Sequence, residues 1–327
     1  MSKGKLLAVC FIWLAAAAAM AGAYRFLIYN PNRDQVFENT SSSSNYKHTV
    51  GVAVDSFSGY AVLRSPELRK QLAKKKIRLR FEDDGADYAG RLESLRSGKT
   101  PMAVFTIDAL LKVCAQSGDV PGTIVAIIDE TRGADAVVAY KSAVPNIDAL
   151  NRTDMKFVLT PDSPSETLAR VVMSHFQLDN LGNKPFVEAN DAEAVYKSYR
   201  KANPNAPQAF VLWEPYVTKV LENPNTHIVA DSSKFRGYIV DVLVVNRDYL
   251  VKNHDVVREV LGGYFRAAYH YRDAMVPLVL ADAKAAGTPL SQKQADNLVR
   301  GIWWKNTQEN FSHFGSQNSG QTQLLED

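Results

Sequence analysis

Short apolar runs and amphipathic stretches alternate along most of the chain, separated by polar residues, glycine or proline. Apolar runs of four to eight residues are typical of buried strands, whereas repeats of about 3.6 residues indicate helices. The first part predicts strands at 49–55, 77–81, 102–106, 123–128 and 136–140, with helices at 59–74, 88–96 and 109–114. This alternation predicts a largely parallel α/β sheet.

The same pattern restarts after a linker at 141–153. It predicts strands at 156–159, 186–188, 209–213 and 228–230, with helices at 165–176, 191–199 and 216–221. A strand at 238–245 is predicted to return the chain to the first part, followed by helices at 248–253, 256–274, 291–304 and 306–314. The chain therefore predicts two α/β lobes.

The stretch 122–141 organises this arrangement. Two apolar runs are joined there by a charged turn that contains Asp129, Glu130, Arg132 and Asp135. Ligands of open α/β sheets bind outside the carboxyl ends of the strands. We expect a small-molecule cleft between the lobes, with this turn on its wall.

Composition narrows the class of protein. The 327 residues are 46% hydrophobic and 22% charged, which supplies enough apolar material for two lobes with cores. The formal net charge is only +3, and the sequence contains no basic stripe interleaved with aromatic residues. Nucleic-acid binding is therefore not expected.

The amino terminus has features of both an export signal and a membrane anchor. Lys3 and Lys5 precede an uncharged run, 6–24, that is about long enough to span a bilayer. Small residues at 21–23 suit signal cleavage. Both interpretations of residues 1–30 remain open, and both place the body in the periplasm, anchored to the inner membrane or released.

Few residues suggest a bound metal, a cofactor or catalysis. Cys10 lies in the apolar amino-terminal run, so Cys114 has no disulfide partner in the body. The six histidines lack metal-ligand spacing, and no glycine-rich phosphate loop or nucleophile elbow occurs in the sequence. We expect no metal, no cofactor and no enzymatic activity.

Four stretches resemble the exported solute-binding proteins of ABC transporters, in the nitrate/taurine/sulfonate and thiamine-precursor group. They are Asp-Ser-Phe-Ser-Gly-Tyr at 55–60, Ile-Asp-Glu-Thr-Arg-Gly-Ala-Asp-Ala at 128–136, Thr-Pro-Asp-Ser-Pro-Ser-Glu at 160–166 and Val-Leu-Trp-Glu-Pro at 211–215. The resemblance covers about residues 48–314. It implies a substrate-binding component that captures a small organic solute and delivers it to an ABC permease in the inner membrane, as a monomer.

The resemblance also implies a type II periplasmic-binding-protein fold, in which two α/β lobes are joined by two hinge crossings. The crossings are expected near 141–151 and 236–245. The expected organisation is an amino-terminal segment 1–30, a Ser-rich tether 31–47, a first lobe 48–144 plus 245–314, a second lobe 145–244 and a polar tail 315–327.

Candidate ligand-binding residues of the first lobe follow its strands. Ser56, Phe57 and Tyr60 offer a hydroxyl group and aromatic faces after the first strand, or serve as turn and packing residues. Asp108 either faces the ligand or only caps its helix. In the charged turn, Arg132 either holds an anion or is neutralised by Asp129 and Asp135, whose carboxylates would then favour a cationic or hydrogen-bond-donating ligand.

Candidates of the second lobe and the return crossing complete the cleft. Ser163 and Ser165 lie at a helix start, where free N–H groups bind anions or carbonyl groups, or they form only a capping box. Trp213 offers a flat apolar surface and Glu214 a carboxylate at a strand end. Asp241 lies inside an apolar strand, where a buried acid needs partners.

The ligand and the wider role stay open at this point. The expected rim is too acidic for a simple oxyanion site, since it contains seven carboxylates: Asp55, Asp108, Asp129, Glu130, Asp135, Glu214 and Asp241. An envelope or interaction protein on the same fold is an alternative. An enzyme resembling the pyrimidine-precursor synthases is a further one, although Cys114 stands alone.

Overall fold

The chain forms strands and helices in alternation, as the sequence pattern predicts. The computed structural model describes residues 46–314. The strands are β1 (His48–Val54), β2 (Ile77–Asp83), β3 (Met102–Thr106), β4 (Gly122–Thr131), β5 (Asp135–Tyr140), β6 (Lys156–Leu159), β7 (Phe186–Glu188), β8 (Gln208–Trp213), β9 (Thr226–Asp231), β10 (Val240–Asn246) and β11 (Ile302–Trp304).

The helices cover both sheets. They are α1 (Pro66–Ala73), α2 (Tyr88–Arg96), α3 (Ile107–Ser117), α4 (Pro164–His175), α5 (Ala192–Lys201), α6 (Tyr216–Val220), α7 (Arg247–Lys252), α8 (His254–Tyr271), α9 (Met275–Ala285), α10 (Gln292–Arg300) and α11 (Thr307–Phe314). Short 3-10 helices occupy Ser58–Ala61, Asp148–Leu150 and Ser232–Lys234.

The strands form two sheets, one for each lobe. The first has six strands in the order β11-β4-β10-β3-β1-β2, and the second has five in the order β7-β6-β8-β5-β9. The two-lobed α/β architecture predicted from the sequence is therefore confirmed.

Both sheets are mixed rather than largely parallel. In the first sheet β1 runs parallel to β2 and β3, but β10 lies antiparallel between β3 and β4. In the second sheet β5 is antiparallel to both β8 and β9. Consequently the carboxyl ends of β1, β3 and β4 meet the amino end of β10 at one edge, and the carboxyl end of β8 meets the amino end of β5.

The chain crosses between the sheets twice. The first crossing is residues 132–134, between β4 and β5, and the second is residues 232–239, between β9 and β10. The predicted crossing near 141–151 is wrong, because β5 already pairs with β8 and β9 of the second sheet. The second prediction, 236–245, overlaps the observed crossing, but β10 itself belongs to the first sheet.

Two local predictions also need correction, and one helix was missed. The predicted helix 59–74 is a 3-10 helix followed by α1. The predicted helix 291–304 stops at Gly301, and the apolar residues after it pair with β4 as β11. Helix α9 was not predicted; Pro277 lies in its first turn, where proline is tolerated.

The predictions for residues 1–30, for most of the tether and for the polar tail lie outside the described residues. Within residues 46–314, no helix combines the length and the hydropathy required to cross a bilayer.

Candidate functional site

Polar side chains converge where β1, β3, β4 and β10 end or begin. Asp241 pairs in register with Thr106 of β3 on one side and with Asp129 of β4 on the other. Asp55 follows β1 directly, and Thr131 is the last residue of β4. The strand directions described above therefore collect three carboxyl and two hydroxyl groups at one edge.

The second lobe adds residues from the facing edge of its own sheet. Asp135 begins β5 and pairs with Trp213, which ends β8. Pro164 begins α4 on the same side. A cavity between the lobes is lined by aromatic side chains, Phe57, Tyr60, Tyr88 and Trp213, and by polar ones, Asp55, Thr106, Thr131, Asp135 and Asp241.

This interlobe cavity is small. Its volume is about 20 Å³, little more than a single water molecule needs. Pockets for organic ligands usually measure about 300–1,000 Å³. In this arrangement of the lobes the cavity has room for about one water molecule and not for an organic molecule.

A larger groove of about 760 Å³ lies elsewhere in the first lobe. Its lining residues all belong to the segments 265–277 and 299–308. No residue of the second sheet reaches it, so closure of the lobes cannot enclose a ligand there.

Several buried polar atoms around the interlobe cavity have no hydrogen-bond partner. They include the hydroxyl groups of Thr106 and Thr131 and one carboxylate oxygen of Asp135. All three residues are at most 3% exposed. Asp129, in contrast, shares a hydrogen bond with the carboxyl group of Asp241 on the neighbouring strand. Buried polar groups are nearly always satisfied in folded proteins, so such a cluster is expected where a ligand completes the hydrogen bonds.

The carboxyl groups at this edge have raised pKa values. Burial raises the pKa of Asp129 to about 8, and the charge of Asp135 adds to the effect. Burial likewise raises the pKa of Asp135 to about 7, with further contributions from the charges of Asp108 and Glu214. Asp241 accepts a 2.5 Å hydrogen bond from the Tyr60 hydroxyl, and burial and the neighbouring Asp129 raise its pKa.

Arg91 neutralises part of the edge. Its guanidinium group donates to Asp84 at 2.5 and 2.7 Å, to Asp55 at 3.0 Å and to the carbonyl oxygen of Val104. Asp55 also accepts the Phe57 N–H at 2.9 Å. Arg91 is fully buried and its guanidinium group is bound by these partners. It therefore has no pair of free N–H groups with which to bind an anion.

Sequence reasoning missed Arg91, although a signal was present. It lies on the face of α2 that carries Tyr88, Leu92 and Leu95, all of them buried. A charged residue on the apolar face of a helix must be paired in the interior.

Arg132 does not face the interlobe cavity. Its guanidinium carbon lies 3.5 Å from the centre of the Trp303 ring, and its Nη2 is 3.7 Å from Glu130. Lys305 lies on the same ring at 3.2 Å and pairs with Glu130 at 2.7 Å. The arginine is therefore held by the carboxyl-terminal segment, and neither Asp129 nor Asp135 binds it.

Asp108 takes part in a contact between the lobes. It accepts a hydrogen bond from Thr167 of α4, and one helical turn later Lys112 lies 2.6 Å from Asp162 and 2.9 Å from Glu166. We name Asp108, Lys112, Asp162, Glu166 and Thr167 the interlobe latch. Sequence reasoning included only Asp108, since nothing local reveals that α3 faces α4.

The remaining candidates differ in how close they lie to the cavity. Phe57 packs edge-to-face on Tyr60 with the ring centres 5.3 Å apart, whereas Ser56 is exposed. Glu214 accepts two hydrogen bonds from Thr218, at 2.5 and 3.0 Å, and burial raises its pKa to about 7. Glu214 is thus committed to the start of α6.

Ser163 and Ser165 lie at the start of α4. The Ser163 hydroxyl donates to the Thr160 carbonyl at 2.7 Å and accepts the Ser165 N–H at 3.2 Å, as a helix cap does. The Ser165 hydroxyl is buried without a partner. The described residues contain no group of three His, Cys, Asp or Glu side chains arranged to hold a metal ion.

Comparisons with known proteins identify the fold. No family model matches the sequence, and no curated protein matches it. Solved structures that are similar over most of their length include the following three. The ligand-binding component of an ABC-type import system from Staphylococcus aureus, with zinc bound, has a TM-score of 0.60 at 14% identity over 80% of this chain and 86% of its own.

The alkanesulfonate-binding protein SsuA from Xanthomonas axonopodis pv. citri, bound to MOPS, has a TM-score of 0.59 at 13% identity over 81% of this chain and 89% of its own. A Candida albicans gene product described as having the generic periplasmic binding protein fold has a TM-score of 0.62 at 13% identity, over 79% and 82% of the two chains. The chain therefore has the periplasmic-binding-protein fold, as the sequence resemblance implied.

Proposed function

We propose that this chain is a solute-binding protein that captures a small organic molecule between its two lobes. The observation that carries the proposal is the cavity between the sheets, which draws aromatic and polar residues from both lobes. The unpaired buried oxygens of Thr106, Thr131 and Asp135 line that cavity. A bound solute would supply the missing hydrogen-bond partners.

Closure about the two crossings is the proposed mechanism. The crossings at 132–134 and 232–239 are short, so small backbone rotations there change the angle between the lobes. The cavity of about 20 Å³ is too small for an organic ligand, so the lobes have to part to admit it and then close around it. A ligand contacts both Asp135 and Asp241 only when the lobes come together on it. Such differential binding shifts the population towards closure.

The interlobe latch sets how easily the lobes part. Lys112 is about two-fifths exposed, and ion pairs of this kind contribute roughly 0.2–1 kcal/mol each. The latch therefore stabilises the closed arrangement only slightly. The binding free energy of the ligand then determines how much of the protein is closed.

The structural relatives suggest the setting of this function. The Staphylococcus aureus protein is the ligand-binding component of an ABC-type import system, and the Xanthomonas protein is an alkanesulfonate-binding protein. By analogy, we place this chain in the periplasm as a monomer that delivers its solute to an ABC permease, with the amino-terminal segment as its export signal or anchor.

A ligand screen on the full-length chain tests the proposal. The melting temperature and the radius of gyration are measured with amines, amino-acid derivatives, sulfonates, nitrate, phosphate and pyrimidines. We expect at least one compound to raise the melting temperature at one ligand per chain, and to change the radius of gyration as the lobes reposition around it. A flat melting temperature across all classes, with no change in radius, would refute a solute-binding role.

A further inference from the structure

Charge at the interlobe cavity indicates the chemical class of the solute, and this inference rests on the proposed function. Asp135 and Asp241 line the cavity from opposite lobes, and Asp129 lies beside Asp241 on the neighbouring strand of the sheet. The three side chains are at most 2% exposed. Three acids are thus concentrated where a solute would make contact with both lobes.

Within the part of the chain that the structure describes, no basic side chain lies within 4.0 Å of these three carboxyl groups. The nearby cations have other partners. Arg91 is bound by Asp55 and Asp84, and Lys305 by Glu130. Asp129, Asp135 and Asp241 therefore form no ion pair with a basic side chain among the described residues.

The unpaired acceptor atoms at the cavity also favour a solute that carries hydrogen-bond donors and a positive charge. One oxygen of Asp135 has no donor, and the Thr106 and Thr131 hydroxyl groups at the same cavity are also unpaired. An ionised carboxylate can only accept hydrogen bonds, so the group that satisfies it must carry N–H or O–H donors. An anion such as a sulfonate, in contrast, would add further acceptors and like charge.

We propose that the solute is an organic cation with N–H donors, a protonated primary or secondary amine. Its ammonium group donates to Asp135 and Asp241, which contact it from the two lobes, and the third N–H of a primary amine donates to the hydroxyl group of Thr106 or Thr131. Its apolar part lies against the rings of Phe57, Tyr88 and Trp213. Charge-assisted N–H to carboxylate bonds and aromatic faces are the contacts that bind such ligands most strongly.

Proton release should accompany this binding. Before a cation binds, burial holds part of the carboxyl groups protonated at neutral pH, since the pKa values of Asp129 and Asp135 are about 8 and about 7. The charges that face Asp135 belong to Asp108, Glu214 and Asp55, while Asp241, Asp135, Lys305 and Asp55 face Asp129. An ammonium group favours the ionised carboxylate, so amine affinity rises with pH from about 6 to about 8.

Ligands of matched size that differ in charge test whether the solute is a cation. The melting temperature of the full-length chain is measured with n-butylamine, butan-1-ol, butanamide and butane-1-sulfonate, and with the corresponding benzyl compounds. We expect a rise with the amines and none with the alcohols, amides or sulfonates. A rise with sulfonates would overturn the cation class and leave the solute-binding function standing. A rise with amides alone would mean that the carboxyl groups stay protonated and donate, which also overturns it.

Two further results complete the test. If none of these compounds changes the melting temperature but another class in the wider screen does, the cation class fails alone; if nothing binds, both proposals fail. For an amine that binds, calorimetry at pH 7 in two buffers of different ionisation enthalpy should detect protons released on binding. Uptake of protons, or none exchanged, would contradict the proposed carboxylate contacts.

Variants locate the contact. Asp135→Asn should weaken the amine about tenfold or more, because a charge-assisted hydrogen bond is lost. Thr106→Val, which removes only an unpaired hydroxyl group and keeps the shape, should weaken it severalfold without loss of stability. Asp154→Asn, in an exposed ion pair with Arg152, is the control and should leave affinity unchanged. Unchanged affinity in both cavity variants would contradict the site.

Discussion

Gly59 is a residue whose missing side chain makes room for the acidic edge. A Cβ atom at this position would lie 2.3 Å from the Phe57 ring and 2.5 Å from the Asp129 carboxylate. Gly59→Ala should therefore destabilise the protein by about 1–3 kcal/mol, the usual cost of overpacking a buried site. Urea unfolding measures the change.

Gly51→Ala is the matched control, because its Cβ would meet neighbours at 3.5 Å, an ordinary contact distance. We expect a change within about 0.5 kcal/mol there. Equal stability of the two variants would mean that the close approach at Gly59 relaxes easily.

The buried carboxyl groups predict how stability depends on pH. Burial raises the pKa of Asp129 to about 8 and those of Asp135 and Glu214 to about 7, whereas unfolded carboxyl groups titrate near 4. Between these limits the native state binds more protons than the unfolded state. Stability should therefore fall as the pH rises from about 5 to about 8, by up to about 1.4 kcal/mol per pH unit for each proton.

Urea unfolding at pH 5.5 and pH 8 measures this fall, and Asp129→Asn should reduce it. His313 acts in the opposite direction because burial lowers its pKa, but it is a single group against three carboxyl groups. A protein that is equally stable at both pH values, or more stable at pH 8, would contradict the protonated state of these acids.

Individual residues differ in how far the sequence reveals their role. The acidic character of the edge was predictable, because Asp129, Asp135 and Asp241 stand at the ends of or inside apolar runs. The position of Arg132 was not, since its partner Trp303 lies far away in the sequence. Contacts of this kind depend on tertiary packing, which local patterns do not encode.

At the scale of elements, β11 fastens the carboxyl-terminal segment to the edge of the first sheet. It pairs with the end of β4, and directly after it the buried Lys305 binds Glu130 at 2.7 Å. Lys305→Met should cost about 3–5 kcal/mol, because it leaves Glu130 buried beside only the more distant Arg132. Denaturant unfolding measures this loss.

Two further variants test whether the loss of stability comes from the broken ion pair between Lys305 and Glu130. Lys305→Met combined with Glu130→Gln should recover most of the stability, since no unpaired charge remains. Lys75→Met breaks an exposed pair with Glu259 and should change stability by less than about 1 kcal/mol. A double variant as unstable as the single one would show that Lys305 acts through packing on Trp303 instead.

Most elements could be predicted from periodicity, and the failures have physical reasons. Strands β3, β6 and β7 and helix α2 match their predicted bounds, because each has a distinct apolar pattern between breakers. Strand β11 was read as the end of a helix, since three residues carry too little periodicity to distinguish the two. Its strand geometry comes from pairing with β4.

At the scale of the whole molecule, the interlobe latch predicts how one side chain affects opening. Lys112→Met removes two ion pairs between the lobes and leaves both lobes intact. We expect a larger radius of gyration by X-ray scattering and a ligand affinity weaker by about two- to tenfold, given the size of partly exposed ion pairs.

Lys197→Met is the control for the latch, because Lys197 pairs with Glu193 inside the second lobe. It removes the same charge and should change neither the radius nor the affinity. If Lys112→Met behaves like this control, the latch does not contribute to closure.

The lobe boundary is where sequence reasoning failed at this scale. Strands β4 and β5 follow each other as similar apolar runs, so they resemble neighbours in one sheet. Their pairing partners separate them, because β5 joins β8 and β9, about 70 to 90 residues further along the chain. The overall two-lobed plan was predictable from the alternation of elements and the resemblance, but the position of the first crossing was not.

The central position of β10 in the first sheet has a consequence for the order of assembly. All strands of the second sheet lie in the continuous segment 135–231, whereas β3 and β4 are joined only through β10, which comes later in the chain. During synthesis from the amino end, the second lobe can fold as soon as residue 231 has emerged. The first lobe, although it begins earlier, has to wait for its central strand.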